Sequence, residues 1–178
     1  MMGELHELTR DELASRLIAA TKRLDSLVSE ADTGLPGRRL FLERAAAETR
    51  RARRYERPLA LVMLRLVPGL TGDAASDGLR VLAISQMAQS VLRDGIDMAG
   101  RLETDLFAVL LPETDLTGAL TVAERLRTTA ARLELPHDRG TCRVAFACAA
   151  DSLLLDDDRF ATVLRRATRA LDRSLGTA

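Results

Sequence analysis

Acidic side chains are the residues of this 178-residue chain whose types and spacing could do chemistry. Asp156, Asp157 and Asp158 are consecutive, and three successive carboxylates can resemble a site for a divalent cation. Acids that directly precede a helix also stabilise its N-terminus, and this is the ordinary explanation of such a run. Glu103 and Asp105 lie in a turn between two apolar segments, and that turn lacks the glycine that a sharp hairpin usually needs.

The cysteines and histidines do not indicate a zinc site or a disulfide. Cys142 and Cys148 are the only cysteines, and His6 and His137 are far apart in sequence. If residues 141–148 form one strand, the two cysteines share a face and lie about 20 Å apart. That distance is too long for a disulfide, so we expect both cysteines to be buried and structural.

Arginines could indicate a phosphate-binding surface, because five of them end a predicted helix: Arg50, Arg51, Arg53, Arg54 and Arg57. Cations also favour a helix C-terminus, which accounts for them without a ligand. The chain has 26 basic and 26 acidic residues and a formal net charge of +0, so no overall field attracts nucleic acid or an anionic membrane. No segment reaches the roughly 18–20 apolar residues of a membrane span, and no signal peptide begins the chain, which predicts a cytoplasmic protein.

The elements that must position these side chains predict an α+β fold. Residues 58–67 are apolar except for Arg65, which is typical of a central strand covered on both faces. Further strands are predicted at 96–102, 106–111 and 141–148, with loops at 68–78 and 134–140. Helices are predicted at 38–54, 79–92, 115–133 (with Thr114 or Asp115 as its N-cap) and 159–175. One sheet with helices on both faces is the expected arrangement.

A separate helix is predicted at the N-terminus, over residues 1–29, where a capping box precedes an apolar stripe. The stripe has the 4-3-4-3 spacing of a short coiled-coil seam and consists of Leu13, Leu17, Ala20, Leu24 and Leu27. Two heptads are too few to pair strongly alone. Two alternatives stay open: the helix docks on its own domain, or it pairs with a second copy.

Several local phrases in this order resemble the diguanylate cyclase family, which is named for its Gly-Gly-Asp-Glu-Phe (GGDEF) hairpin. They are TGLPGRRLF (33–41), the strand PLALVMLRL (58–66), GRL (100–102) before FAVLLP (107–112), AERLR (123–127) and ATRAL (167–171). The resemblance covers about residues 30–176. It implies a nucleotidyl-cyclase-like central mixed sheet with helices on both faces in a domain of residues 30–178.

The resemblance also implies chemistry, namely condensation of two GTP molecules into cyclic di-GMP with two divalent cations. Mapped onto this chain, the signature hairpin becomes Glu103, Thr104, Asp105, Leu106 and Phe107. Leu106 occupies the position of the family's metal-binding glutamate and has no ligand atom. Glu103 and Thr104 occupy the positions of the two glycines that let the nucleotide approach the backbone.

The other metal-site positions of the family are lost as well. Its metal-binding aspartate on the first strand falls on Arg65, whose fixed positive charge repels a cation, and a second acid falls on Val67. We therefore expect a degenerate, catalytically inactive member that needs no cofactor or metal. We also expect Arg65 to form an ion pair with Glu103 or Asp105 in the place of the metal.

A product-binding inhibitory site of the family, Arg-x-x-Asp, is only partly matched. Asp97 has the required spacing from the hairpin, but Asp94 stands at the arginine position and Arg93 is one residue too far. A bulge at Gly95 would be needed to bring Arg93 into place. We expect this site to be vestigial and nucleotide binding to be lost.

The leading hypothesis is a regulatory or protein-interaction module in bacterial signalling, with protein partners of unknown identity. A homodimer through the N-terminal helix is one form of such pairing. The alternative is a nucleotide sensor that retains GTP or cyclic di-GMP binding through altered residues.

Overall fold

A computed structural model describes residues 33–67, 74–137 and 140–176, and shows four helices and six strands in these ranges. The helices are α1 (Arg38–Arg54), α2 (Ala74–Val91), α3 (Leu116–Ala130) and α4 (Phe160–Gly176). The strands are β1 (Leu59–Leu66), β2 (Met98–Arg101), β3 (Leu106–Pro112), β4 (Glu134–His137), β5 (Gly140–Arg143) and β6 (Phe146–Ser152). The α+β class is confirmed. The predicted N-terminal helix and its leucine seam lie outside the described residues.

The main sheet has four strands in the order β2-β3-β1-β6, and β4 and β5 form a separate two-stranded hairpin. Every pair of neighbouring strands is antiparallel. The expectation of a mixed sheet is therefore wrong for the described strands. The family resemblance implied the mixed sheet, but β3 and β6, on either side of β1, both run antiparallel to it.

Helices cover both faces of the main sheet, as the apolar central strand predicts. One core cluster joins the sheet to α2 and α3 and includes Ile84, Met87 and Leu126. The other joins the sheet to α1 and α4 and includes Phe41 and Leu171. Because strand side chains alternate between faces, a strand with apolar residues at nearly every position serves both clusters. No helix among the described residues is long and apolar enough to span a membrane.

The structure settles two local predictions about helix starts. Helix α3 is capped by Asp115, whose carboxylate accepts from the Gly118 N–H at 2.8 Å, which decides between the two predicted caps. Helix α2 begins at Ala74 rather than at residue 79. The glycines and aspartates before residue 79 suggested a loop, but one internal glycine such as Gly78 costs a helix only about 1 kcal/mol.

The predicted strand 141–148 is wrong, because the chain there changes partners. Residues up to Arg143 pair with β4, in the segment predicted as a loop, and the strand that joins β1 starts at Phe146. Cys142 and Cys148 therefore lie on strands of different sheets rather than on one face of one strand. Alternation of apolar residues continues through the break, so the pattern alone could not reveal the change of partner.

The β2 edge of the sheet is covered by the chain that leads into α1. Arg101 donates its backbone N–H to the Pro36 carbonyl at 2.9 Å, and Gly37 forms an isolated bridge with Arg101. Gly100 lies directly beneath Phe41, since a Cβ at this position would be 2.4 Å from the ring. This close approach explains the glycine and fixes α1 over the hairpin.

Candidate functional site

The turn between β2 and β3 closes without glycine. Leu102 donates its N–H to the Leu106 carbonyl at 2.8 Å, and the Leu106 N–H points back to the Glu103 carbonyl at 3.4 Å. Neither Glu103, Thr104 nor Asp105 has a positive φ. Because no residue of the turn adopts the left-handed conformation, side chains cost nothing here in backbone strain. All three side chains are exposed at the end of the sheet.

Two positions that were singled out in the sequence are direct neighbours. Arg65 on β1 is the cross-strand partner of Leu106 on β3, so their side chains share one face of the sheet. Leu106 is buried in the cluster beneath α1 and α4, whereas Phe107 points into the opposite cluster. Val67 follows β1 and is exposed, and its carbonyl accepts from the Arg80 guanidinium.

The Arg65 guanidinium lies among three carboxylates. Its nitrogens are 3.8 Å from Glu103, 4.0 Å from Asp105 and 4.0 Å from Asp172 of helix α4. Glu103 also contacts Arg38 at 3.5 Å. The predicted ion pair of Arg65 with the turn is confirmed, and Asp172 is a third partner that the sequence did not reveal.

These contacts are electrostatic rather than directional, because they are longer than the usual hydrogen bond. The Arg65 side chain is 27% exposed, and its three carboxylate partners are each more than half exposed. Such pairs contribute little individually, and what distinguishes this cluster is that one cation serves three acids. We call Arg65, Glu103, Asp105 and Asp172 the Arg65 cluster.

Arg93 and Asp97 form an ion pair beside the end of β3 that is far from the turn. Both carboxylate oxygens of Asp97 accept from Arg93, with the shortest contact at 2.5 Å, and the Asp97 side chain is only 3% exposed. Arg93 also donates to the Pro112 carbonyl at 2.9 Å and to Thr114 at 3.0 Å. The Asp97 carboxylate raises the pKa of Arg93 above its usual value. Gly95, with φ +69°, makes the turn that brings the two together.

A group of short ion pairs around Arg166 has no counterpart in the sequence predictions. Arg166 on α4 donates to Asp157 at 2.6 and 2.8 Å, to Asp151 at 2.7 Å and to the Ser152 carbonyl at 2.8 Å. Hydrogen bonding from Arg166 lowers the pKa of Asp157, which also accepts from the Leu154 N–H. The middle member of the Asp156–Asp158 run is therefore a buried structural acid. No pattern in the sequence distinguishes it from its neighbours.

The chain as a whole is similar to a known protein family. The model of the family described as "Diguanylate cyclase, GGDEF domain" matches residues 24–175. The chain belongs to this family. No curated protein is significantly similar to the chain in sequence.

Solved structures of GGDEF domains share this fold. Diguanylate cyclase SiaD from Pseudomonas aeruginosa, in complex with its activator SiaC, has 24% identity and a TM-score of 0.79, over 97% of this chain and 70% of that one. The GGDEF domain of DgcB from Caulobacter crescentus, in complex with c-di-GMP, has 15% identity and a TM-score of 0.78, over 84% and 88%. The active GGEEF domain of a diguanylate cyclase from Vibrio cholerae has 23% identity and a TM-score of 0.69, over 77% and 88%.

The residues of this GGDEF domain do not fit the divalent cations that the family implies. Magnesium needs oxygen ligands in near-octahedral geometry. At the positions implied by the resemblance stand a buried leucine (Leu106), an exposed valine (Val67) and an arginine (Arg65). The carboxylates that remain nearby, Glu103 and Asp105, are within ion-pair distance of Arg65. We therefore derive no catalytic step through a metal.

Proposed function

We propose that this GGDEF domain is a catalytically inactive regulatory module in bacterial cyclic di-GMP signalling, acting in the cytoplasm through protein contacts. One observation carries the proposal: the Arg65 guanidinium stands within 3.8–4.0 Å of the acids of the turn and of α4. A fixed positive charge at this place repels the cations that phosphoryl transfer requires. Loss of a metal alone removes several kcal/mol of transition-state stabilisation.

The hairpin supports the same conclusion from the side of the nucleotide. Glycines in a phosphate-binding turn let the backbone approach the ligand, and a side chain prevents this approach. Here Glu103 and Thr104 project side chains, and Glu103 adds a carboxylate that repels a triphosphate. Arg38 lies 3.5 Å from Glu103, so one nearby cation is already engaged.

The nucleotide-sensor alternative has less support. An inhibitory site needs an arginine and an aspartate free to bind the product, but Asp97 is buried and Arg93 occupies both of its oxygens. A ligand would have to displace a charge-assisted, multiply bonded pair before it could bind.

Action through protein partners is part of the proposal. The SiaD structure contains a protein activator bound to a diguanylate cyclase, which shows that a related chain takes a protein partner. For this chain, we propose that residues 1–29 supply pairing or docking through Leu13, Leu17, Ala20, Leu24 and Leu27.

The decisive test measures product and binding together. The full chain is incubated with GTP and Mg²⁺ or Mn²⁺, with the active Vibrio cholerae GGEEF domain as positive control, and cyclic di-GMP is quantified. Calorimetric titrations with GTP and cyclic di-GMP, each with and without Mg²⁺, measure binding. We expect no product and no binding. Product formation would overturn the proposal, and micromolar binding without product would favour the nucleotide sensor.

Pairing through the N-terminal seam has its own test. Light scattering compares the molar mass of the full chain with that of the double variant L17E/L24E, which places charges in the seam. Two Glu substitutions outside the seam with the same seven-residue spacing, S15E/K22E, serve as the matched control. A mass that does not fall in L17E/L24E would mean that the helix does not pair copies of the chain.

A further inference from the structure

The two edges of the main sheet differ. The β2 edge is bonded to Pro36 and Gly37, as described above. The opposite edge, β6, pairs with β1 on one side, and no described strand pairs with it on the other. All seven β6 residues are partly exposed, whereas the interior strand β3 is buried throughout.

The register shows which backbone groups face outward. Val67 donates its N–H to the Ala145 carbonyl at 3.0 Å, and Leu153 donates to the Leu59 carbonyl at 2.8 Å. In an antiparallel pair, hydrogen-bonded positions alternate, so the odd-numbered residues of β6 are bonded to β1. The even-numbered residues therefore direct their N–H and C=O groups away from the sheet.

Of these even-numbered residues, only Ser152, the last of β6, has its outward backbone groups hydrogen-bonded within the described part of the chain. The Ser152 N–H donates to the Asp151 carboxylate at 2.8 Å, and its carbonyl accepts from Arg166 at 2.8 Å. Among the described residues, no backbone hydrogen bond reaches the outward groups of Phe146, Cys148 and Ala150. The open edge therefore extends from the bend at residue 145 to Ser152, whose carbonyl is bonded by Arg166.

Natural sheets protect an open edge with lysine, proline, an inward-pointing charge or a bulge. Residues 144–150 read VAFACAA and contain no charge and no proline. An unprotected edge of small apolar residues is suited to the addition of another strand, which then supplies the missing hydrogen bonds.

We infer that the β6 edge binds the β6 edge of a second copy of this chain, in an antiparallel pair with its two-fold axis at Cys148. The symmetry of the open segment argues for this occupant. Phe146 and Ala150 are equally distant from Cys148, so Phe146 of one copy would face Ala150 of the other. About six hydrogen bonds would then satisfy all the outward groups.

The ends of the segment and its charges also match under this symmetry. The axis at Cys148 places the bend at Val144 and Ala145 opposite Asp151 and Ser152 of the other copy. At Ser152 the backbone groups are already bonded by Asp151 and Arg166. Asp151, the one charged residue of β6, would face the uncharged Ala145 rather than another acid. An isologous contact of this kind closes as a dimer. Ala147 of β6 is the cross-strand partner of Arg65, but the contact uses the outward backbone groups of β6 and none of the charged side chains of the Arg65 cluster. It therefore goes beyond the proposed function and does not depend on catalytic inactivity.

Cross-linking tests the register directly, because the axis places the two Cys148 residues opposite each other. Cα atoms of a hydrogen-bonded antiparallel pair are about 5.5 Å apart, which is within the range of disulfides. The full chain carrying C142S is oxidised mildly and analysed by non-reducing electrophoresis. The matched control is C148S, which retains Cys142. We expect a covalent dimer with C142S and none with C148S.

Proline substitution tests the hydrogen bonds. The Ala150 N–H points outward, so A150P removes a donor from the new interface and none from the β1–β6 pair. We expect A150P to raise the dimer dissociation constant about tenfold or more, since both copies lose a bond. The seam variant L17E/L24E should leave the Cys148 cross-link intact, which separates this interface from pairing through residues 1–29.

Hydrogen exchange gives a readout on the unmutated chain if A150P fails to fold. At high protein concentration the amides of Phe146, Cys148 and Ala150 should exchange as slowly as those of Ala147 and Ala149, and dilution should speed them selectively. A monomer at all concentrations, a dimer without the Cys148 cross-link, or fast exchange of these three amides at every concentration would overturn the inference.

Discussion

Charge reversal at Arg65 should destabilise the domain and make its stability depend on salt. In R65D the three acids of the Arg65 cluster would face a fourth carboxylate instead of a cation. Each present contact spans 3.8–4.0 Å between partly exposed groups. Exposed pairs contribute about 0.2–1 kcal/mol each, so neutralisation in R65M should cost about 1–2 kcal/mol in total. Repulsion of similar size adds to this in R65D, giving a loss of about 2–4 kcal/mol at low ionic strength.

Urea unfolding at about 0.02 M and 1 M salt measures this effect, and R65M is the matched control because it keeps an unbranched stem without charge. The loss in R65D should shrink strongly in high salt, where the screening length is about 3 Å. The m-value should stay unchanged, because the same surface is exposed on unfolding. Mg²⁺ should stabilise R65D and not the unsubstituted chain, since only R65D offers uncompensated carboxylates. Equal stability of R65M and R65D at low salt would refute the account of Arg65 as the counter-ion of this cluster.

Three further outcomes follow from the described contacts. D157N should lower the free energy of unfolding by about 3 kcal/mol at neutral pH, because the buried partner of Arg166 is lost; urea unfolding measures it, with the exposed D158N as control. Because the pKa of Asp157 is lowered in the folded state, its contribution is present above its ordinary pKa and is lost as the pH falls through the lowered value. An acid titration of stability in which D157N and the unsubstituted chain run parallel would contradict this. G100A should destabilise by about 1–3 kcal/mol, since the new methyl group would be 2.4 Å from the Phe41 ring; an unchanged melting temperature would show that the ring moves freely. Burial raises the pKa of the Cys148 thiol, so it should react with an alkylating reagent more slowly at pH 8 than a model thiol. Mass spectrometry of the labelled peptide measures the rate, and a rate equal to that of the model thiol would contradict this prediction.

The apolar pattern of the sequence was sufficient to place the interior of the fold. The run at 58–67 forms β1, with bounds only one residue different at each end, because its residues are apolar on both faces and Pro58 and Pro68 delimit it. The arginine within that run marked the candidate site, since a charge in a central strand requires partners. Its predicted acids in the turn are among the partners observed.

The less successful predictions involve elements whose pairing is not local. The strand at 141–148 splits between two sheets, because an alternating pattern specifies which residues share a face but not which strand lies alongside. Helix α2 begins five residues before the predicted start, because turn-forming residues such as Gly78 are tolerated within a helix.

By itself, the sequence determined the α+β class, the central strands and the family resemblance, because these depend on residue types and their local spacing. Only the tertiary structure decided which acids surround Arg65, that Asp157 is buried against Arg166, and that one edge of the sheet is covered while β6 is open. The physical reason is the same in each case. The partners of charges and backbone groups are brought close by the fold and can be far apart in the sequence. Asp172, for example, is 107 positions away from Arg65, and a local sequence pattern cannot indicate such a contact.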